Sequence, residues 1–128
     1  LTGPEERAIA ASTGQRDGAA AEALAARHLE RAGLTLLGRN YRSPFGEIDL
    51  VMQDGATTVF VEVRFRARQD FGLPAETVDA RKRSRLRATA EHYLQQHPRA
   101  SKKPCRFDIV AITRGREGDA VQWLRDAF

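Results

Sequence analysis

Two runs of alternating residues, Glu47 to Gln53 and Thr57 to Arg66, are separated only by Asp54, Gly55 and Ala56. So short a connection between two such runs predicts a β-hairpin. In the first run Ile48, Leu50 and Met52 alternate with Glu47, Asp49 and Val51. In the second Val59, Val61, Val63 and Phe65 alternate with Phe60, Glu62, Arg64 and Arg66. Because successive side chains point to opposite faces, a slip of one residue moves the apolar set of one strand to the wrong side. Only registers that pair even with odd positions gather all seven apolar residues on one face. The same registers put Asp49 and Glu62 together on the other. A Gly55-Ala56 turn of type II′ sets the two acids directly opposite each other, and an Asp54-Gly55 turn makes them diagonal neighbours.

Directly opposed carboxylates, with Cβ atoms about 4.5–5.5 Å apart, repel one another. A fold keeps such a pair when a proton, a basic side chain or a divalent cation offsets the repulsion. Arg64 and Arg66 on the same face offer a purely structural salt bridge. The sharper reading is a Mg²⁺ site, with hard carboxylate oxygens, little His or Cys nearby, and a basic surface able to attract phosphate. A metal there would polarise a phosphodiester and lower the pKa of an attacking water.

The rest of the chain supplies the frame. Residues 1–16 show no periodic pattern and are expected to form a flexible arm, leaving residues 17–128 as a single domain. Asp17 is the expected cap of a helix from about Gly18 to Ala32, stopped by Gly33, with Ala21, Leu24, Ala25, Leu29 and Ala32 as its apolar stripe. Glu22 lies at the margin of that stripe. A short strand, Leu34 to Leu37, leads to a polar loop through Asn40, Ser43, Pro44 and Gly46. After the hairpin a helix starts at Thr77 or Asp79 and runs to about Gln96, followed by a strand from Arg106 to Thr113 and a last short segment from Val121 to Leu124. The order α-β-β-β-α-β, with a short terminal strand, predicts an α/β fold: a mixed central sheet flanked by helices. A helix joining the third and fourth strands makes those two parallel.

With 128 residues, 41% hydrophobic and 30% charged, the chain suits one globular domain rather than disorder. No apolar run approaches the roughly 20 residues of a membrane span, and no signal peptide is evident. The single Cys105 excludes an internal disulfide and a Cys-rich zinc site, and fits a cytoplasmic location. The positive balance is local. Between Arg64 and Arg87, eight Lys/Arg (Arg64, Arg66, Arg68, Arg81, Lys82, Arg83, Arg85, Arg87) stand against three acids, giving +5 there and −1 elsewhere. Such clustering is expected either of a polyanion binder or of a solvated helix face.

Other residues are read more plainly. His92 and His97 are five apart and do not share a helix face, so they make no zinc pair. Cys105 at a strand start is expected to be a small buried hydrophobe, and Trp123 and Phe128 to belong to the core. Asp108 is either a structural partner for a sheet-face Arg or a support for the metal site. Phe71 and Gly72, ahead of the basic helix, either contact nucleic acid or close the core.

The run Gly46-Glu47-Ile48-Asp49-Leu50-Val51, followed by Val59-Phe60-Val61-Glu62-Val63-Arg64, resembles the YraN family of small bacterial proteins. Phe71-Gly72, Val78 with Lys82, Ala90 to Leu94, Arg106-Phe107-Asp108 and the closing Trp123 to Phe128 extend the likeness across Gly18 to Phe128. The resemblance implies a restriction-endonuclease-like fold of the PD-(D/E)xK class, similar to Holliday-junction resolvases. It makes Asp49 the first metal-binding acid and Glu62 the acid of the E-x-K element. The carbonyl of Val63 and the helical Glu22 become further ligands of Mg²⁺ or Mn²⁺. Arg64 stands where the family usually has Lys, and a guanidinium is not a conservative replacement for an ammonium. Lys82 either takes over that role or extends to solvent.

The function expected from these residues is metal-dependent hydrolysis of DNA phosphodiester bonds, on branched or repair structures. Asp49, Glu62, Arg64 and Lys82 would carry the chemistry, and Arg66, Arg68, Arg81, Lys82, Arg83, Arg85 and Arg87 would contact the nucleic-acid backbone. The alternative is a nuclease-fold module that binds DNA without cutting it, or serves as a subunit in a repair or uptake complex. Resolvase-like nucleases further imply a homodimer.

Overall fold

The computed structural model describes residues 13–66 and 78–128, with side chains from residue 18 onward. Its elements are α1 (Thr13–Arg31), β1 (Thr35–Ser43), β2 (Gly46–Asp54), β3 (Thr57–Arg66), α2 (Ala80–Gln96), α3 (Pro98–Ser101), β4 (Cys105–Thr113) and β5 (Ala120–Leu124). The five strands form one sheet in the order β1-β2-β3-β4-β5. All neighbours are antiparallel except β3 and β4, which run parallel because α2 carries the chain back across the sheet. Among the described residues no helix is long and apolar enough to cross a membrane.

The two long helices, α1 and α2, cover one face each. Ala21, Ala25, Ala26 and Leu29 of α1 pack on Leu50, Met52, Val59, Val61, Val110 and Ile112. Leu86, Ala90 and Tyr93 of α2 pack on Ile48, Val51, Phe60 and Ile109. Helix α1 starts at Thr13, inside the expected arm, so Asp17 lies within the helix and does not cap it. Its far end follows expectation: Leu34 N–H donates to the Leu29 carbonyl and Gly33 N–H to the Glu30 carbonyl, both at 3.0 Å, with Gly33 at φ 103°. This Schellman arrangement needs a residue without a Cβ at the reversal and buries Leu34 just beyond it. Ala32, past the last turn, is exposed rather than part of the apolar stripe.

Strand β1 is longer than expected and continues through the residues read as a polar loop. It is an edge strand, and its polar positions carry no alternation by which to recognise it. Its register shifts between Leu36 and Gly38, which leaves Leu37 as an extra residue turned to solvent. Cys105, expected to be buried, is exposed, because it opens β4 before that strand enters the core.

The chain's C-terminal segment is held by Asp108, which is fully buried. Its carboxylate accepts from Arg106 Nε (3.0 Å), Trp123 Nε1 (2.9 Å) and the Asp126 N–H (2.9 Å). The hydrogen bond to Asp108, helped by a second to Asp54 Oδ2 at 3.0 Å, raises the Arg106 guanidinium above its ordinary pKa against the lowering effect of burial. Asp108 is therefore the structural partner of an Arg, one of the two roles open to it from sequence. Asp108→Ala leaves the Trp123 indole N–H and the Asp126 N–H without their acceptor and the Arg106 guanidinium with Asp54 alone, and should cost about 3 kcal/mol of unfolding free energy. Urea denaturation followed through Trp123, the sole tryptophan, checks this, with Asp108→Asn expected to lose less.

Candidate metal centre

The β2–β3 ladder has the register of a two-residue turn: Asp54 pairs with Thr57, Gln53 with Thr58, and so on to Leu50 with Val61. Gly55 has φ 61° and Ala56 is not among the positive-φ residues, as a type II′ turn requires. The ladder ends at Leu50↔Val61, and Asp49 and Glu62 are the next residue of each strand beyond it. On the other side the β1–β2 pairing passes from Arg39↔Leu50 to Tyr41↔Ile48, skipping Asn40 and Asp49, and Asn40 takes the left-handed φ of 52°.

This local break changes the faces. Strict alternation would put Ile48 beside Leu50, yet Ile48 packs with Val51 and Phe60 under α2, while Leu50 packs under α1. Six of the seven apolar residues thus share a face as expected, and Ile48 does not. The change of face falls between Ile48 and Leu50, opposite the left-handed Asn40, with the register itself unshifted there. Asp49 Oδ2 accepts the Val63 N–H at 2.8 Å, so the carboxylate bridges to β3 where a ladder bond would otherwise form. In an extended strand the N–H and C=O of one residue point to the same edge, so the Val63 carbonyl faces the same side as Asp49.

Asp49 and Glu62 hydrogen-bond one another, and the Asp49 carboxyl is pushed up to about 8 from its ordinary 3.8. Burial is the main cause, the Glu62 charge is second, and the Glu22 charge adds to them against the lowering effect of the Val63 N–H. Glu62 is only 5% exposed and meets Lys82 Nζ at 2.5 Å, while the Lys82 side chain is 49% exposed. Lys82 is set there by the start of α2: Asp79 caps the helix by accepting the Lys82 N–H at 2.8 Å. Lys82 therefore turns to the paired acids. Arg64 follows Glu62 on the same strand face and is half-buried.

An open cleft of about 400 Å³ exposes this arrangement, lined by Gly46, Glu47, Asp49, Glu62, Val63, Lys82, Arg85 and Leu86. Two oxygen-donor side chains, a carbonyl on the same edge and a carboxyl whose pKa is raised by burial and by a neighbouring acid are what a hard divalent cation would relieve. The residues present therefore fit Mg²⁺ or Mn²⁺ at Asp49, Glu62 and Val63. Glu22, half-buried on α1, accepts from Asn40 Nδ2 at 3.1 Å and reaches Asp49 through its charge. Among the described residues no three His, Cys, Asp or Glu side chains stand close enough together to hold an ion, so Glu22 is not assembled with the pair.

The basic helix is divided between two tasks. Lys82 and Arg85 border the cleft and Arg81 is exposed beside them. Arg83 and Arg87 instead lie over the Phe128 ring, 5.6 and 5.7 Å from its centroid. Arg66, expected on the backbone-binding surface, is only 7% exposed and so is largely withdrawn from that surface. Arg68, Phe71 and Gly72 lie outside the described residues. Sequence reading missed Asn40 as the holder of Glu22, since an edge strand gives no periodic signal. It also missed Gly46 as cleft lining: with φ 155°, this glycine brings the β1–β2 turn close to Arg85 and Thr89 of α2.

The same geometry can be set against related chains. Residues 21–112 match the model of the family described as "Uncharacterised protein family UPF0102". The chain belongs to this family, the YraN family. A UPF0102 protein of Methylobacillus flagellatus is 53% identical over 84% of this chain and 92% of its own length. One from Stutzerimonas stutzeri is 50% identical over 91% of this chain and 98% of the relative. One from Nitrosococcus oceani is 46% identical over 91% and 94%. Asp49, Glu62, Val63 and Lys82 all fall inside the span that matches the family.

A raised Asp49 pKa has a consequence for stability. The folded chain keeps the Asp49 proton up to about 8, whereas an unfolded chain loses it near 3.8. The native state therefore binds more protons across that window, and stability falls as pH rises through it. Asp49→Asn keeps an acceptor for the Val63 N–H, removes the charge, and should raise the thermal midpoint at pH 7 by several degrees. Calorimetry from pH 4 to 8 checks this: the variant should show the shallower decline, and an identical slope would remove the assignment.

Proposed function

We propose that this protein is a metal-dependent endonuclease acting on DNA. The observation that carries this reading is the contact of Asp49 with Glu62 at the floor of an open cleft, with Lys82 on Glu62 and Arg85 on the rim. A buried acid and a half-buried one held together at a cost in stability are hard to account for by folding alone, and the cations beside them suit a phosphodiester.

In this reading Asp49, Glu62 and the Val63 carbonyl would hold Mg²⁺ or Mn²⁺, which when bound lowers the pKa of water and polarises a phosphoryl oxygen. The Val63 N–H orients the Asp49 carboxylate from behind. Lys82, as a compact ammonium, takes the position from which the usual E-x-K lysine would act, and hydrogen-bonds a non-bridging phosphate oxygen as charge builds on it. Arg64 keeps a fixed positive charge on the same face. Arg81 and Arg85 hold neighbouring phosphates. Hydrolysis then adds water across one P–O ester bond, leaving a phosphate monoester and a hydroxyl group. Because these contacts go to the backbone, they give affinity without choice of sequence. The Arg at position 64 favours the second reading, a nuclease-fold module that binds DNA without cutting it.

Nicking assays with Mg²⁺ or Mn²⁺ on linear, forked and four-way DNA separate the two. Wild type is expected to cleave at least one substrate, Asp49→Ala to lose activity altogether, and Lys82→Ala to lose about 100-fold or more. Affinity should fall with salt with a log–log slope of about −3, for three phosphate contacts. Binding without cleavage of any substrate would leave the binding module, and equal cleavage by Asp49→Ala would refute the site.

A further inference from the structure

One helical turn beyond Arg85, the surface of α2 opens into a second groove of about 310 Å³, formed by Phe45, Ala88, Glu91, His92 and Gln95. Phe45 is 55% exposed at the turn between β1 and β2. Its support is nonetheless firm: the Phe45 N–H donates to Ser43 Oγ at 3.0 Å, and Ser43 Oγ is bonded to Thr89 Oγ1 of α2 at 3.0 Å. The next residues, Gly46 and Glu47, already line the metal-site cleft. Phe45 therefore stands at the junction of the two depressions, with a face left open to solvent.

The chemistry of the two differs. Lys82 and Arg85 line the first, whereas among the described residues no Lys or Arg lines the second, and the Glu91 carboxylate there would repel a phosphate. What the second groove offers is a flat aromatic face, a carboxylate acceptor, a carboxamide with both donor and acceptor, and an imidazole. His92 Nδ1 is occupied by the Tyr41 hydroxyl at 2.6 Å, and Nε2 has no hydrogen bond among the described residues. Those groups suit a heterocycle with exocyclic N–H donors and ring acceptors. Beside a cationic cleft, that description fits a nucleobase attached to the strand whose phosphates the cleft holds.

We propose that the groove takes up one unpaired base, stacked on Phe45, from the DNA strand lying in the Asp49–Glu62 cleft. This rests on the nucleic-acid reading given above and narrows it. In a continuous duplex every base is stacked and paired, and withdrawing one costs energy that an already unpaired base does not demand. The protein therefore selects forks, flaps, junctions and frayed ends over uninterrupted duplex.

Fluorescence anisotropy in EDTA, with the full chain, tests this on a forked DNA and on a fully paired duplex of equal length. Phe45→Ala should weaken fork binding about 5- to 100-fold, as expected for loss of one base–aromatic stack, and change duplex binding less than twofold. Phe45→Trp should restore the fork preference and quench 2-aminopurine placed at the first unpaired position. Arg85→Ala should weaken both DNAs in the same proportion. Since Phe45 is exposed, an unchanged thermal midpoint establishes that the variants are folded. Equal loss on both DNAs, or no loss on either, overturns the stacking role. Failure of wild type to bind either DNA overturns it together with the nucleic-acid reading, whereas binding without cleavage removes hydrolysis alone and leaves the stacking role standing.

Discussion

Everything at the candidate centre depends on two carboxyl groups kept in contact, Glu62 buried and Asp49 half-buried, at the floor of an open cleft. Such a pair is unfavourable by Coulomb's law and by desolvation, and the surrounding chain offsets it in three ways. Asp49 retains a proton well above the usual carboxylate range. The Val63 N–H donates to Asp49. The Lys82 ammonium meets Glu62 from the start of α2. Since Lys82 is half-exposed, its bond to Glu62 is weak on its own account. Its importance lies in leaving the buried acid with a counter-charge that can also move toward a ligand.

The sheet makes this juxtaposition possible because β2 and β3 stop behaving as a regular hairpin at Asp49. The Leu36–Gly38 shift and the left-handed Asn40 lie in the facing part of β1, so the disturbance runs through two adjacent strands. Bulged edges of this kind bend a strand and redirect a side chain. Ile48 goes to the α2 core, Leu50 stays in the α1 core, and the residue between them is left to address the end of β3. The parallel β3–β4 pairing holds the other half still, with Glu62 opposite Ile109 in the middle of an unbroken ladder. A bent strand thus faces a straight one, and the cleft opens between them.

On the far side of β4 the same economy of polar groups recurs with the opposite outcome. Asp108 is as deeply buried as any residue in the chain, but it has a guanidinium, an indole and a backbone N–H to accept from. It is saturated, and it fastens the segment after β5 to the sheet. Asp49 and Glu62 share their donors with each other and border an open cleft. The contrast is between a structural carboxylate with all its partners and a pair that borders the open cleft.

How much of this was legible in advance depends on periodicity. The hairpin, its turn at Gly55-Ala56, the parallel crossover through α2 and the shared side of Asp49 and Glu62 follow from alternation and spacing. These are local rules, and each strand carries them in its own residues. The extent of β1 was not legible, because an edge strand with polar residues has no buried face to mark it. Nor was the withdrawal of Arg66 from the surface or the split of the basic helix between cleft and Phe128, since clustered charge in a sequence says nothing of direction. By itself the chain's order of residues determined which acids could meet and on which sheet. Only the tertiary structure decided that Lys82 would reach Glu62, that Glu22 would be drawn to Asn40, and that Phe45 would stand open beside the cleft. Those outcomes depend on how α1, α2 and the β1–β2 turn close around the bent strand, and no local pattern encodes such long-range packing.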